Sequence, residues 1–144
     1  MALSQKCQYA LQAVLELAAR DGQLTIISDI AAARGIPVRF LELILNELRQ
    51  GGVVESRRGR YGGYALALAP ADLTLGRVIR LMDGPLWPTA CVAASNGQHC
   101  RQSCAFAAVW DRAQQSITDV YDTTTFQDIL TRERAAASVP SYAI

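Results

Sequence analysis

Apolar positions in the first third of the chain recur every three or four residues. Between Ser4 and Ala19 they fall at Tyr9, Ala10, Ala13, Val14, Leu17 and Ala18, and Asp21-Gly22 ends the run. That spacing is the period of one buried helical face. A second, shorter helix is predicted from Ile26 or Ile27 to Arg34, with Thr25 or Ser28 as its N-cap and Gly35 as a left-handed stop. Two residues later Pro37 can open a third helix, because the first helical position needs no N–H. This helix carries Phe40, Leu41, Ile44, Leu45 and Leu48, and it closes at Gly51-Gly52. Two helices joined by so short a turn, with a glycine inside it, have the form of a helix-turn-helix. Ala31 is small where the two helices must approach, and Ile30, Ile36, Leu41 and Ile44 can fill the corner between them. An ordinary antiparallel helix pair would show the same pattern.

The segment after Gly52 changes the picture. Val53–Ser56 and Tyr64–Leu68 read as strands, and Arg57-Arg58-Gly59-Arg60-Tyr61-Gly62-Gly63 between them is glycine-rich enough for a hairpin tip. A helix pair followed by such a hairpin is a winged helix. Pro70 ends the wing, and Thr74 can cap a further helix over Leu75–Met82, with Leu75, Val78, Ile79 and Met82 on one face, before Gly84-Pro85 breaks it. From Gly84 to Ser103 there is no periodicity. Phe106, Trp110, Ala113, Ile117 and Val120 then step by four, three, four and three residues, the seam of a helix that pairs with a second copy or packs on its own domain. Thr125 with Asp128 can cap a last helix through Phe126, Ile129 and Leu130. The expected fold class is therefore mainly α with a small β-hairpin wing. Its parts are a winged helix-turn-helix over residues 1–83, a cysteine-containing loop over 84–104, a long dimerisation helix with a packing helix over 105–134, and a tail over 135–144.

Charge matters locally. The formal net charge is only +1, yet between Arg49 and Tyr64 four arginines (Arg49, Arg57, Arg58, Arg60) stand against Glu55, a local excess of three. Cations on a projecting hairpin suit DNA phosphates. No Gly-Lys-Ser/Thr follows the glycines, so a nucleotide-phosphate loop is not indicated. With no signal-peptide pattern and no run of 18 apolar residues, a cytoplasmic protein without a membrane span is expected. The sole histidine, His99, and the missing dinucleotide fingerprint leave little for an enzyme or electron carrier.

Of four cysteines, Cys7 stands alone, and Cys91, Cys100 and Cys104 cluster as Cys-x8-Cys-x3-Cys in the aperiodic segment. Thiolates so spaced can hold an iron–sulfur cluster or zinc, or form a redox disulfide. Spacing alone leaves these readings open. His99 abuts Cys100, and adjacent residues chelate one ion poorly.

The combination resembles the Rrf-two family of bacterial winged-helix transcriptional regulators, the IscR-, NsrR- and RirA-like proteins. The likeness runs from Leu3 to about Leu130. It rests on Lys6-x2-Tyr9-Ala10-Leu11, on Gly35-Ile36-Pro37-x2-Phe40-Leu41-Glu42, on Leu48-x2-Gly51 and on the wing Arg58-Gly59-x2-Gly62-Gly63-Tyr64-x-Leu66-Ala67. Three cysteines then precede Trp110, and Thr124-Thr125-Phe126-x-Asp128-Ile129 follows.

The resemblance implies a homodimer on a double-stranded DNA operator. Val38, Arg39 and Phe40 would face bases from the start of the recognition helix, and Arg57, Arg58, Arg60 and Tyr61 would meet the minor groove or backbone from the wing. Arg39 suits bidentate guanine contact, and Glu42 either accepts from cytosine or pairs within the helix. It also implies that Cys91, Cys100 and Cys104 hold an iron–sulfur cluster, 2Fe–2S or 4Fe–4S, that senses iron–sulfur status, nitric oxide or redox state. The cysteine spacing departs from the family's more even one, and the position where IscR-like members carry a histidine ligand is Ala107. Some relatives take a ligand from the partner's first helix, which makes Cys7 a candidate to complete the cluster across the dimer; a small thiol packing that helix is the alternative. A cluster-free or zinc-binding regulator with a thiol/disulfide switch is the rival reading.

Overall fold

The computed structural model describes residues 2–87 and 104–138; Cys91, His99 and Cys100 lie outside the described residues. The first helix, α1 (Gln5–Ala19), is capped by the Ser4 hydroxyl, which accepts the Cys7 N–H at 3.0 Å. It ends where Asp21 (φ 52°) and Gly22 (φ 79°) turn the chain left-handed.

The next helix, α2 (Ile27–Arg34), starts from Ile26, and neither Thr25 nor Ser28 caps it. The reason is nonlocal. Thr25 exchanges two backbone hydrogen bonds of 2.8 Å with Tyr64 of the hairpin, and its hydroxyl turns back to the Gln23 carbonyl. Gly35 stops α2 as expected, with φ 62° and ψ 35°, and Ile36 N–H donates to the Ala31 carbonyl at 3.0 Å. Pro37 sits one position earlier than expected. It is the extended N-cap of α3 (Val38–Gln50), and its carbonyl accepts the N–H groups of Phe40 and Leu41.

The hairpin pairs β1 (Val54–Arg57) with β2 (Gly63–Leu66) antiparallel, in the register Val54↔Leu66 to Arg57↔Gly63. Arg57 and Gly63 therefore belong to the ladder, and the exposed tip is shorter than the sequence pattern indicated. The second strand stops at Leu66, although Ala67 N–H still reaches the Val53 carbonyl at 3.0 Å. A short 3-10 turn (Pro70–Asp72) leads to α4 (Leu75–Asp83), capped by Thr74.

Two further helices follow, α5 (Ala107–Thr123) and α6 (Phe126–Ala137). Thr125 and Asp128 form the full capping box on α6, which runs three residues past the Arg134 limit read from the pattern.

The core gathers around α1, which packs against α2, α3, α4 and α6. Val14, Leu17, Ile30, Leu41, Ile44 and Phe126 are among its wholly buried side chains. By contrast α5 buries no residue, and Val109 and Val120 are 57% and 59% exposed. It meets the rest of the protein through α4: Arg80 pairs with Asp122 at 2.6 Å, beside Gly76, where a Cβ would strike the Asp122 carboxylate. Among the described residues no helix is long and apolar enough to cross a membrane.

Candidate nucleic-acid interface

One face of α3 is spent on the core. Leu41, Ile44, Leu45 and Leu48 are buried there. The 3.6-residue period turns Arg39, Leu43 and Asn46 to the opposite side, where all three are exposed. Glu42 is exposed on the flank toward the wing.

Phe40 takes the other flank. Its ring lies 6.4 Å from that of Tyr9 on α1, beside the Lys6–Glu47 ion pair that also ties α1 to α3. Of the three side chains expected to face bases, Arg39 thus projects outward, Val38 stands at the helix-turn-helix corner with Gly35 and Pro37, and Phe40 leans against the first helix. Leu43 and Asn46 were not singled out from the sequence, and Arg49 was read only as part of the local excess of positive charge. Stepping by three and four residues from Arg39, away from the buried stripe, finds Leu43 and Asn46.

The wing stands beside this helix. Asn46 and Arg49 of α3, Ile26 and Ile27 at the start of α2, and the hairpin from Ser56 to Tyr64 surround a concavity of about 440 Å³. Arg57, Arg58 and Arg60 are exposed on the hairpin, and the Arg60 guanidinium lies 5.7 Å over the Tyr61 ring. Tyr61 is 83% exposed. Arg39, Arg49, Arg57, Arg58 and Arg60 make no ion pair among the described residues. Unneutralised guanidiniums around a concave surface attract a polyanion.

Backbone contact sets how the wing stands. A Cβ on Gly62 would lie 2.1 Å from the Arg57 carbonyl oxygen, and one on Gly63 (φ 152°) would lie 2.8 Å from that of Thr25. Both positions therefore require glycine, the first to close the hairpin and the second to let it dock on the residue that leads into α2.

The opposite side of α2 is held by an ion-pair network. Glu16, 8% exposed, binds Arg20 and Arg34 at 2.8 Å each. Arg34 also grips Glu133 of α6 through two nitrogens. That fork raises the Arg34 pKa and holds the Glu133 carboxyl below its usual range. The residue just before the Gly35 turn is thus fastened to both α1 and α6.

The sequence-predicted cofactor residues divide. Cys104 is a free, half-buried thiol whose carbonyl accepts the Ala107 N–H at the start of α5. Cys7 is fully enclosed on α1. Burial, with the Asp83 carboxylate against its thiol, pushes its pKa up to about 11. These surroundings are those of a packing cysteine. Asp83 also accepts the Ser4 N–H and hydroxyl, so the end of α4 is pinned to the start of α1.

Residues 3–132 match the Rrf2 family, described as an iron-dependent transcriptional regulator. An rrf2-like HTH-type transcriptional regulator of Rhodobacter capsulatus is 40% identical, over 95% of this chain and 97% of that protein. The structure of CymR from B. subtilis, titled the global cysteine regulator, superposes with a TM-score of 0.78 at 30% identity, covering 92% of this chain and 98% of that one. T. potens IscR superposes with a TM-score of 0.74 at 31% identity, covering 99% and 95%. With the family match over residues 3–132, the 40% identical relative and the shared fold, the chain belongs to the Rrf2 family of DNA-binding transcriptional regulators.

Proposed function

We propose that this regulator works as a homodimer, with α3 of each protomer in a major groove of the operator and the wing on the adjacent backbone. Its affinity is set by an iron–sulfur cluster held by Cys91, Cys100 and Cys104. The observation that carries the DNA-facing part is the set of unpaired arginines around the exposed side of α3. Arg39 would read a base edge, and Arg49, Arg57, Arg58 and Arg60 would neutralise phosphates. Dimerisation is supported by α5, which buries no residue in the protomer and leaves Val109 and Val120 more than half exposed, a face that the second copy would cover.

The donor set fits a cluster: three soft thiols fall within fourteen residues, and Cys104 is free and accessible directly before α5. When bound, a cluster supplies a site that nitric oxide, oxygen or iron loss can alter. The residues of this chain then carry the change. Cys104 is joined to the first turn of α5, and α5 is joined to α4 by Arg80–Asp122. The α5–α6 corner hydrogen-bonds α4 and the turn before it through Leu75–Thr124 and Leu73–Phe126, and α6 holds Arg34 at the helix-turn-helix corner. A change at Cys104 can thus alter both the dimer seam and the angle of the reading helix. Coupling of about 1–3 kcal/mol between sites is ordinary for such switches.

The test is Cys104→Ser, purified without oxygen. It should lose visible absorption and respond no longer to nitric oxide in operator binding; wild-type absorption and response in the variant would refute the assignment. The likeness to a global cysteine regulator favours a second reading, in which the same thiols act without a cluster as a disulfide switch. Colourless protein whose DNA affinity follows thiol oxidation would select it.

A further inference from the structure

We propose that Leu43 is a specificity-determining residue, reading the C5-methyl group of a thymine in the major groove next to the base met by Arg39. The proposal rests on α3 entering that groove.

A single exposed leucine on a protein surface ordinarily carries no message. Leu43 differs in its position. It is 64% exposed, the most exposed of the large aliphatic side chains among the described residues. It stands one turn beyond Arg39 and three residues before Asn46 on the outward side of α3, opposite the buried stripe. Being in the first half of the helix, it is within the part of a recognition helix that reaches base edges. The other exposed apolar residues of this helix have neighbours to lean on: Phe40 has Tyr9, and Val38 has the Pro37 corner.

The occupant follows from the chemistry around it. Leu43 lies on the helix bordered by five guanidiniums without ion pairs, which would repel a cationic partner and attract a polyanion. Within the major groove of DNA, the apolar feature displayed at a base edge is the thymine methyl. An aliphatic side chain there can make no hydrogen bond, so it distinguishes thymine from the other bases by covering that methyl and by excluding water from its neighbour.

The experiment selects binding sites for the full-length protein from a randomised duplex pool. Each thymine of the enriched site is then replaced in turn by deoxyuridine, which keeps the base pair and removes only the methyl. The expected result is one thymine per half-site at which deoxyuridine weakens binding about fourfold, the effect of uncovering one methyl group. Leu43→Ala should abolish that sensitivity and Leu43→Met should keep it. Arg39→Ala should alter a different column of the selected site.

If no thymine is sensitive, or if Leu43→Ala remains as sensitive as the wild type, the proposal is overturned while the Arg39 result still supports α3 as the reading helix. If Arg39→Ala also changes nothing, the placement of α3 in the groove fails with it. Failure to enrich any sequence overturns both.

Discussion

Gly63→Ala tests how the wing is built. The new Cβ would lie 2.8 Å from the Thr25 carbonyl oxygen, 2.9 Å from its carbon and 3.0 Å from its nitrogen. All three are backbone atoms, so no side-chain rotation relieves the contact. The wing must lift, and lifting it breaks the two 2.8 Å hydrogen bonds between Thr25 and Tyr64. At about 0.5–1.5 kcal/mol each, with about 1–2 kcal/mol for a side chain at positive φ, the loss of stability should be roughly 2–5 kcal/mol. Gly22→Ala is the matched control. Its φ is also positive, at 79°, but nothing lies within 4 Å of its Cβ, so it should cost only the conformational part of about 1–2 kcal/mol. Urea unfolding gives both values, and DNA binding reports whether the displaced wing still meets the duplex. Equal costs for the two variants, or unchanged DNA affinity in Gly63→Ala, would refute the docking argument.

Arg58→Ala should weaken binding to all duplex sequences and reduce the slope of log affinity against log salt by about one; an unchanged slope would remove Arg58 from the phosphate contacts. Replacing Glu133 by Gln should destabilise the protein at neutral pH, by about 1 kcal/mol or less because the carboxylate is 42% exposed. The Glu133 pKa is lowered in the folded state, so the stabilisation it gives is present above the unfolded value of about 4.3. It is lost as pH falls through the folded value, so the gap between wild-type and Glu133→Gln stabilities, compared by urea unfolding, should be smaller at pH 3 than at pH 7. Cys7 should resist alkylation at pH 8 in the folded protein and react once it is unfolded, since its buried thiol titrates only near 11; rapid native labelling would show that the α1–Asp83 corner opens.

What could be read from the sequence was mostly what neighbouring residues decide. The Gly35 stop, the Thr74 cap and the Thr125–Asp128 box each depend on residues within one turn, and each forms. The buried stripe of α3 was legible for the same reason. Thr25 was misread as a cap because its partner, Tyr64, is 39 residues away, and the pairing depends on Gly63 being small enough to admit it. Arg57 looked like a loop residue until the register with Gly63 drew it into the ladder. Phe40, expected to face bases from the helix start, has its ring 6.4 Å from that of Tyr9 on another helix, a neighbour that no local pattern reveals. Glu16 was not singled out from the sequence, and it is the buried centre of the Arg20–Arg34 network. In each case a distant element sets the side chain's surroundings.

The most direct test is to purify the protein without oxygen and measure iron, acid-labile sulfide and visible absorption together with operator affinity, before and after nitric oxide. The account predicts coloured protein with iron and sulfide in equal amounts, and an affinity that changes as the colour bleaches. Colourless, iron-free protein that binds its operator equally well before and after exposure would contradict it.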